Sequence, residues 1–132
     1  MGTHRSFAEV AAGVGHTIST YAQALDDGRI EDIVATFCPD GSCDIPLLGH
    51  HVGPQALRKA FERTKPRAPQ RHLVLNTVIT KWTDDEAQAT SDLAFLLKGD
   101  AGWTVFMVGR YHDVLHFDGD TWRFHSRVAE FT

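Results

Sequence analysis

The second half of this sequence constrains the fold most. From Arg71 on, four stretches of strand-forming residues follow one another: Arg71–Trp82, Glu86–Lys98, Trp103–Phe117 and Thr121–Phe131. Only short polar breaks separate them, Thr83-Asp84-Asp85, Gly99-Asp100-Ala101-Gly102 and Asp118-Gly119-Asp120, and these have the composition of hairpin turns. Strands joined this tightly run antiparallel, because a parallel return needs a crossover of about a dozen residues. The result is a meander with an apolar face that other elements must cover.

The first half supplies the cover. Residues 1–5 read as a loose end, and Ser6-x-x-Glu9 as a capping box. Phe7, Val10, Ala11, Val14, Ile18, Tyr21, Ala22 and Leu25 then recur at spacings of three and four, the stripe of an amphipathic helix that Gly28 can end. A short helix is predicted over Ile30–Phe37, a turn at Pro39-Asp40-Gly41, and two short strands over Ser42–Leu47 and Gly49–Val52. Gly53-Pro54 opens a third helix with Ala56, Leu57, Ala60 and Phe61 on its buried side. The fold class is therefore α+β: a curved antiparallel sheet, a half-barrel, covered by about three N-terminal helices and enclosing a pocket for a small apolar ligand. Leu73, Leu75 and Ile79 on one side of the first long strand, and Val74, Val78 and Trp82 on the other, make both faces apolar. A homodimer packed on the outer face is the expectation.

A chain of 132 residues fits one domain, residues 1–132. Its formal net charge of −4 argues against nucleic acid or an anionic membrane surface as partner. No apolar run approaches the roughly 18 residues a membrane span needs. Glu9 interrupts the one candidate for a leader core, Phe7–Val14, so a cytoplasmic location is expected. Cys38 and Cys43 have neither C-x-x-C nor zinc-site spacing and read as free thiols of a reducing compartment. His112 and His116 are four apart on a strand, about 13 Å, too far to share an ion. There is no H-E-x-x-H, no G-x-S-x-G elbow, and Gly13-Val-Gly15 is no dinucleotide fingerprint, so neither metal nor cofactor is expected.

Several motifs in order carry a resemblance. They are Tyr21-Ala-Gln-Ala-Leu-Asp26-Asp27-Gly28, Thr36-Phe37-Cys-Pro-Asp40, Gly49–Gly53 followed by Ala56-Leu57, Arg71-His72-Leu-Val-Leu-Asn76, and Gly109-Arg-Tyr111-His-Asp113 before Trp122-Arg-Phe124. Together they resemble the SnoaL-like branch of the nuclear transport factor 2-like superfamily over nearly the whole chain. That superfamily hosts isomerases, dehydratases, polyketide cyclases and plain binding modules on one cone-shaped fold, so the resemblance implies the fold far more than the reaction. Scytalone dehydratase and the bile-acid dehydratases pair an Asp at the end of the first helix with a His on the first long strand. By position Asp26 and His72 match that pair, and Tyr21 matches a Tyr of the bile-acid type. In ketosteroid isomerase, an example of pKa tuning, the proton-sharing Asp corresponds to Asp113, but the general base falls on Ile45. That departure counts against isomerase chemistry of that type.

The residues themselves add physical reasons. An imidazole such as His72 takes and returns protons near neutral pH, and an acidic partner fixes its tautomer. Asp26 sits in the last turn of the first helix, where the macrodipole disfavours an anion by roughly 0.3–1 kcal/mol, so a nearby cation, such as protonated His72, is the expectation. Tyr21 lies on the buried stripe, where a phenol wants a partner and suits the polarising of a substrate carbonyl. Asn76, four residues after His72, is expected on the same strand face as a substrate contact. Tyr111 and Asp113 share a face of the third long strand, and Asp92 lies mid-strand among apolar residues. These three are further candidates for binding groups. Arg127 is a candidate substrate contact and Arg110 a possible pairing cation, with surface or dimer ion pairs as the alternative for both. The leading expectation is a cofactor-independent lyase, a dehydratase, or an isomerase acting on a small apolar carbonyl compound such as a polyketide, steroid or aromatic intermediate. The alternatives are a non-catalytic binding module and a small subunit of a larger enzyme.

Overall fold

The structure is a computed structural model that describes residues 4–132. Three helices, α1 (Phe7–Asp27), α2 (Ile30–Ala35) and α3 (Pro54–Arg63), accompany six strands: β1 (Phe37–Ile45), β2 (Gly49–Val52), β3 (Gln70–Trp82), β4 (Glu86–Gly99), β5 (Gly102–Phe117) and β6 (Trp122–Phe131). The sheet order is β2-β1-β6-β5-β4-β3, so the meander of long strands is present and β3 is an edge. β1 runs parallel to β6, which makes the sheet mixed rather than wholly antiparallel. Its edges β2 and β3 do not pair, so it curves without closing.

Local chemistry sets the helices. Both halves of the Ser6–Glu9 capping box form, and Gly28 ends α1 at φ 67 with its N–H bonded to Ala24 and Leu25 carbonyls. Val10, Val14, Ile18, Tyr21 and Leu25 on α1, with Leu57 and Phe61 on α3, bury the stripe against Leu93, Leu115 and Phe124 of the sheet. Phe7 is the exception on that stripe, largely exposed and packed on Trp82.

Three expectations are corrected. Of the loose end, residues 1–3 lie outside the described residues, and Arg5 is tied down: its backbone N–H donates to Asp84 and its guanidinium lies 3.7 Å from the Phe117 ring centroid. Pro39-Asp40-Gly41 belongs to β1, as a bulge that shifts its register against β6 between Phe37 and Ser42. A second register shift, between Leu75 and Val78 in β3, reverses which residues face inward. Beyond it Ile79 joins Val74 against the core, while Val78 joins Leu73 and Leu75 on the exposed side; a further shift, between Ile79 and Lys81, returns Trp82 to the helix side opposite Ala87, where it packs on Phe7.

Candidate functional site

Asp26 and His72 meet. The His72 ring Nδ1 lies 2.6 Å from Asp26 Oδ1, and the His72 backbone N–H donates to Asp26 Oδ2 at 2.7 Å. That N–H is free because β3 is an edge strand whose outer backbone groups have no neighbouring strand. The Gln70 side-chain amide adds a third donor to Oδ1 at 3.3 Å. Three donors offset the unfavourable position of a carboxylate at a helix C-terminus. The side chains of Asp26 and His72 are only 5% and 13% exposed, so the pair is nearly removed from water. A carboxylate only accepts, so Nδ1 carries the proton toward Asp26 and Nε2 is left with its lone pair.

The imidazole is fixed from the side as well. Phe95, its partner in register across β4, stacks on it with ring centroids 4.3 Å apart and planes inclined by 22°. Both rings line a cavity of about 230 Å³ between α1, α3 and the sheet. Leu25, Ile45, Phe61, Leu93 and Met107 make its walls largely apolar, and Pro46, Leu47 and Leu48 of the β1–β2 connection also line it. For scale, an apolar cavity of about 150 Å³ accepts benzene. Ile45, where ketosteroid isomerase has its base, contributes only a hydrocarbon wall.

Tyr21 and Tyr111 also line the cavity. The Tyr21 hydroxyl is buried and has no hydrogen-bond partner. Desolvation holds its phenol well above the ordinary value, with the nearby Tyr111 adding to the effect, so it stays a neutral O–H donor. Burial raises Tyr111 in the same direction.

The other candidates are placed elsewhere. Asn76 does not share the face of His72, because the β3 bulge begins there and Asn76 itself takes φ 55. Its amide donates to Asp92 at 3.0 Å, and Asp92 accepts from Arg110 at 2.7 Å, all on the exposed sheet face away from the cavity. Asp113 and Arg127 lie beneath the cavity rather than in its lining, joined by two hydrogen bonds of 2.9 and 3.1 Å. Both side chains are 0% exposed, so Arg127 makes no surface pair. Its guanidinium lies against the rings of Tyr111 at 3.5 Å, and of Tyr21 and Phe124 at 4.4 Å, with Nη1 lacking a partner. Burial pushes the Asp113 carboxyl up while Arg127 pulls it down. Desolvation works against the Arg127 charge, and Asp113 with the two phenols outweighs it.

Two residues of this candidate site, Gln70 and Phe95, do not stand out in the sequence. Gln70 is two positions before His72 and so shares its face, a signal the alternation of the strand contains. Phe95 becomes visible only once the β3–β4 register is known.

The match to known families decides the family: a model of the SnoaL-like domain covers residues 8–128. The chain belongs to the SnoaL-like family. No curated protein matches its sequence. Among solved structures, this SnoaL-like domain superposes on a protein of unknown function from Mycobacterium tuberculosis with a TM-score of 0.86 and 20% identity, over 93% of this chain and 72% of that one. A candidate scytalone dehydratase from Novosphingobium aromaticivorans gives a TM-score of 0.81 at 20% identity, over 93% and 84% of the two chains. A protein from Catenulispora acidiphila in complex with S-DNPA gives 0.83 at 26% identity, over 94% of each. No helix among the described residues is long and apolar enough to cross a membrane.

Proposed function

We propose that this SnoaL-like domain is a cofactor-independent lyase, with dehydration of a small apolar carbonyl compound as its reaction. One observation carries the reading: an imidazole clamped through Nδ1 by a buried carboxylate, with Nε2 left over on the wall of an apolar cavity. In a β-hydroxy carbonyl substrate, Nε2 of His72 takes the proton from the carbon next to the carbonyl. The Tyr21 hydroxyl donates to the carbonyl oxygen as negative charge builds there. The protonated Nε2 then gives its proton to the leaving hydroxyl, which departs as water, and the carbon–carbon double bond forms. Asp26 keeps the imidazole in the productive tautomer and stabilises it while charged. Where no hydroxyl leaves, return of the proton from Nε2 to a different carbon of the enolate amounts to isomerisation. The candidate scytalone dehydratase among the structural relatives supports dehydration, as a protein of this fold to which that reaction is attributed.

The test is turnover against a panel of hydrophobic hydroxy-ketones, scored first by thermal shift and then by product. His72→Ala is expected to lower turnover of any substrate found by about 10²–10⁴-fold, the usual contribution of general acid–base catalysis. Ligands that bind but never turn over, in wild type and His72→Ala alike, would favour a binding module. A subunit role fits less well, because the cavity is not filled by the protein's own side chains.

The outer sheet face supports self-association. Leu73, Leu75, Val78, Val105 and Val108 are all more than two-fifths exposed and stand together on the side away from the helices. We place the second copy of a homodimer there. Val105→Arg is expected to convert a dimer to monomer in sedimentation; a wild-type monomer at micromolar concentration contradicts it.

A further inference from the structure

Away from the cavity, three metal-ligating side chains converge from three strands. Cys38 of β1, His125 of β6 and His116 of β5 present ligand atoms that all lie within 4.8 Å of one another. The two imidazoles stack with centroids 4.3 Å apart and planes inclined by 13°. Neither is held by a close carboxylate: Glu86 stands 3.8 Å from His116 Nε2, and Asp40 stands 3.8 Å from His125 Nδ1. His125 Nδ1 is buried without a hydrogen-bond partner, an arrangement proteins ordinarily avoid. The Cys38 thiol finds only the Arg123 carbonyl, at 3.6 Å.

The backbone is shaped for this meeting. In β6 the pairing with β5 passes from Ser126↔Val114 to Phe124↔Leu115, so His125 is an inserted residue. In β1 the pairing with β6 passes from Phe37↔Phe124 to Ser42↔Ser126, so Cys38 to Gly41 form a bulge at the same level. Gly41 closes that bulge: a Cβ there would lie 2.7 Å from the Phe124 carbonyl oxygen and 2.9 Å from that of Cys38, so no larger residue fits. Bulges re-aim side chains, and two of them side by side bring Cys38 and His125 to His116.

We infer that Cys38, His116 and His125 form a site for one borderline-soft divalent transition-metal ion, zinc in the first instance. A thiolate with two imidazoles is a donor set of zinc, and a water or one of the flanking carboxylates, Asp40 or Glu86, completes a tetrahedron. Bonds of 2.0–2.3 Å to a common ion put ligand atoms roughly 3.3–3.8 Å apart. Closing from 4.8 Å takes rotation of the two rings out of their stack. The rings are 40% and 39% exposed, which gives the ion access, and Cys38 releases its proton to solvent on binding. Along β5 the site is roughly 17 Å from Tyr111, the nearest cavity-lining residue of that strand, at about 3.3 Å per residue. The ion therefore joins β1, β5 and β6 and takes no part in the cavity chemistry.

The test is titration of chelator-treated, reduced protein with Co²⁺, followed by its absorption spectrum, then displacement by Zn²⁺, with melting curves alongside. One equivalent is expected, with a thiolate-to-cobalt charge-transfer band, and the melting temperature rises with free metal. Cys38→Ser should abolish the band. His116→Gln should weaken binding by more than about 100-fold, beyond the roughly 10–100-fold that loss of an outer-shell partner costs. Cys43→Ala, altering the thiol sealed in the core, should leave the band in place. The inference is overturned if wild type shows no such band at one equivalent, or if the band survives Cys38→Ser. Should Cys38→Ser not fold, His116→Gln decides alone, and unchanged affinity there overturns it.

Discussion

Two carboxylates of this protein are taken out of water, and they are held in different ways. Asp113 closes on itself: both of its oxygens meet the Arg127 guanidinium, both side chains are fully buried, and no atom of either reaches the cavity lining. Asp26 holds an imidazole by one nitrogen at the cavity wall, and the other nitrogen is left over. A pair that spends its charges on each other in the core, away from the cavity, is architecture. A pair that leaves a basic atom beside empty apolar space is suited to proton transfer. Burial alone does not distinguish them; the uncommitted nitrogen does.

The comparison breaks most visibly in the core. Arg127→Met is expected to cost about 3–5 kcal/mol in urea unfolding, because it strands a buried carboxylate. Burial already raises the Asp113 carboxyl, and loss of the cation raises it further. The folded variant then holds its proton more tightly than the unfolded chain, so its stability falls as pH climbs above the ordinary carboxylate range and returns on acidification. Replacing both partners, Asp113→Leu with Arg127→Met, should recover most of the loss, since apolar substitutes for a buried pair are often neutral or better. A single variant as stable as wild type at neutral pH would show that the buried Asp113 does not need the Arg127 cation.

A smaller effect sharpens the cavity side. The Tyr21 hydroxyl has no partner in the fold, so Tyr21→Phe is expected to leave stability unchanged or raise it by about 1 kcal/mol, while slowing turnover of any substrate found. A loss of stability instead would mean that the hydroxyl serves the fold.

The sequence carried the helices, the meander and the cover of one by the other, because spacing and turn chemistry act locally. Gly28 and the Ser6–Glu9 box are written in a few adjacent residues and form as read. The bulges are not written that way. The shift after Leu75 carries Asn76 off the face of His72, and Pro39-Asp40-Gly41, with the composition of a turn, forms a bulge in β1. An arginine is ordinarily exposed, so the sequence reading of Arg127 is a substrate contact or a surface or dimer pair. Its register with Asp113, an inward acid that demands an inward cation, is what buries it. The meeting of Asp26 and His72 is implied by the resemblance alone; the cost of an anion at the end of α1 asks only for a nearby cation. Cys38, His116 and His125 sit on three strands, so no local pattern could bring them together.

The central claim is that Asp26 fixes His72 with Nδ1 protonated and Nε2 free toward the cavity. Imidazole ¹⁵N–¹H spectra above the titration of the ring test it directly, in wild type and in Asp26→Asn. The account predicts that His72 is the Nδ1–H tautomer in wild type, with a slowly exchanging, strongly hydrogen-bonded Nδ1 proton that is lost in Asp26→Asn. A wild-type His72 that is mainly the Nε2–H tautomer, or a spectrum that Asp26→Asn leaves unchanged, would contradict it.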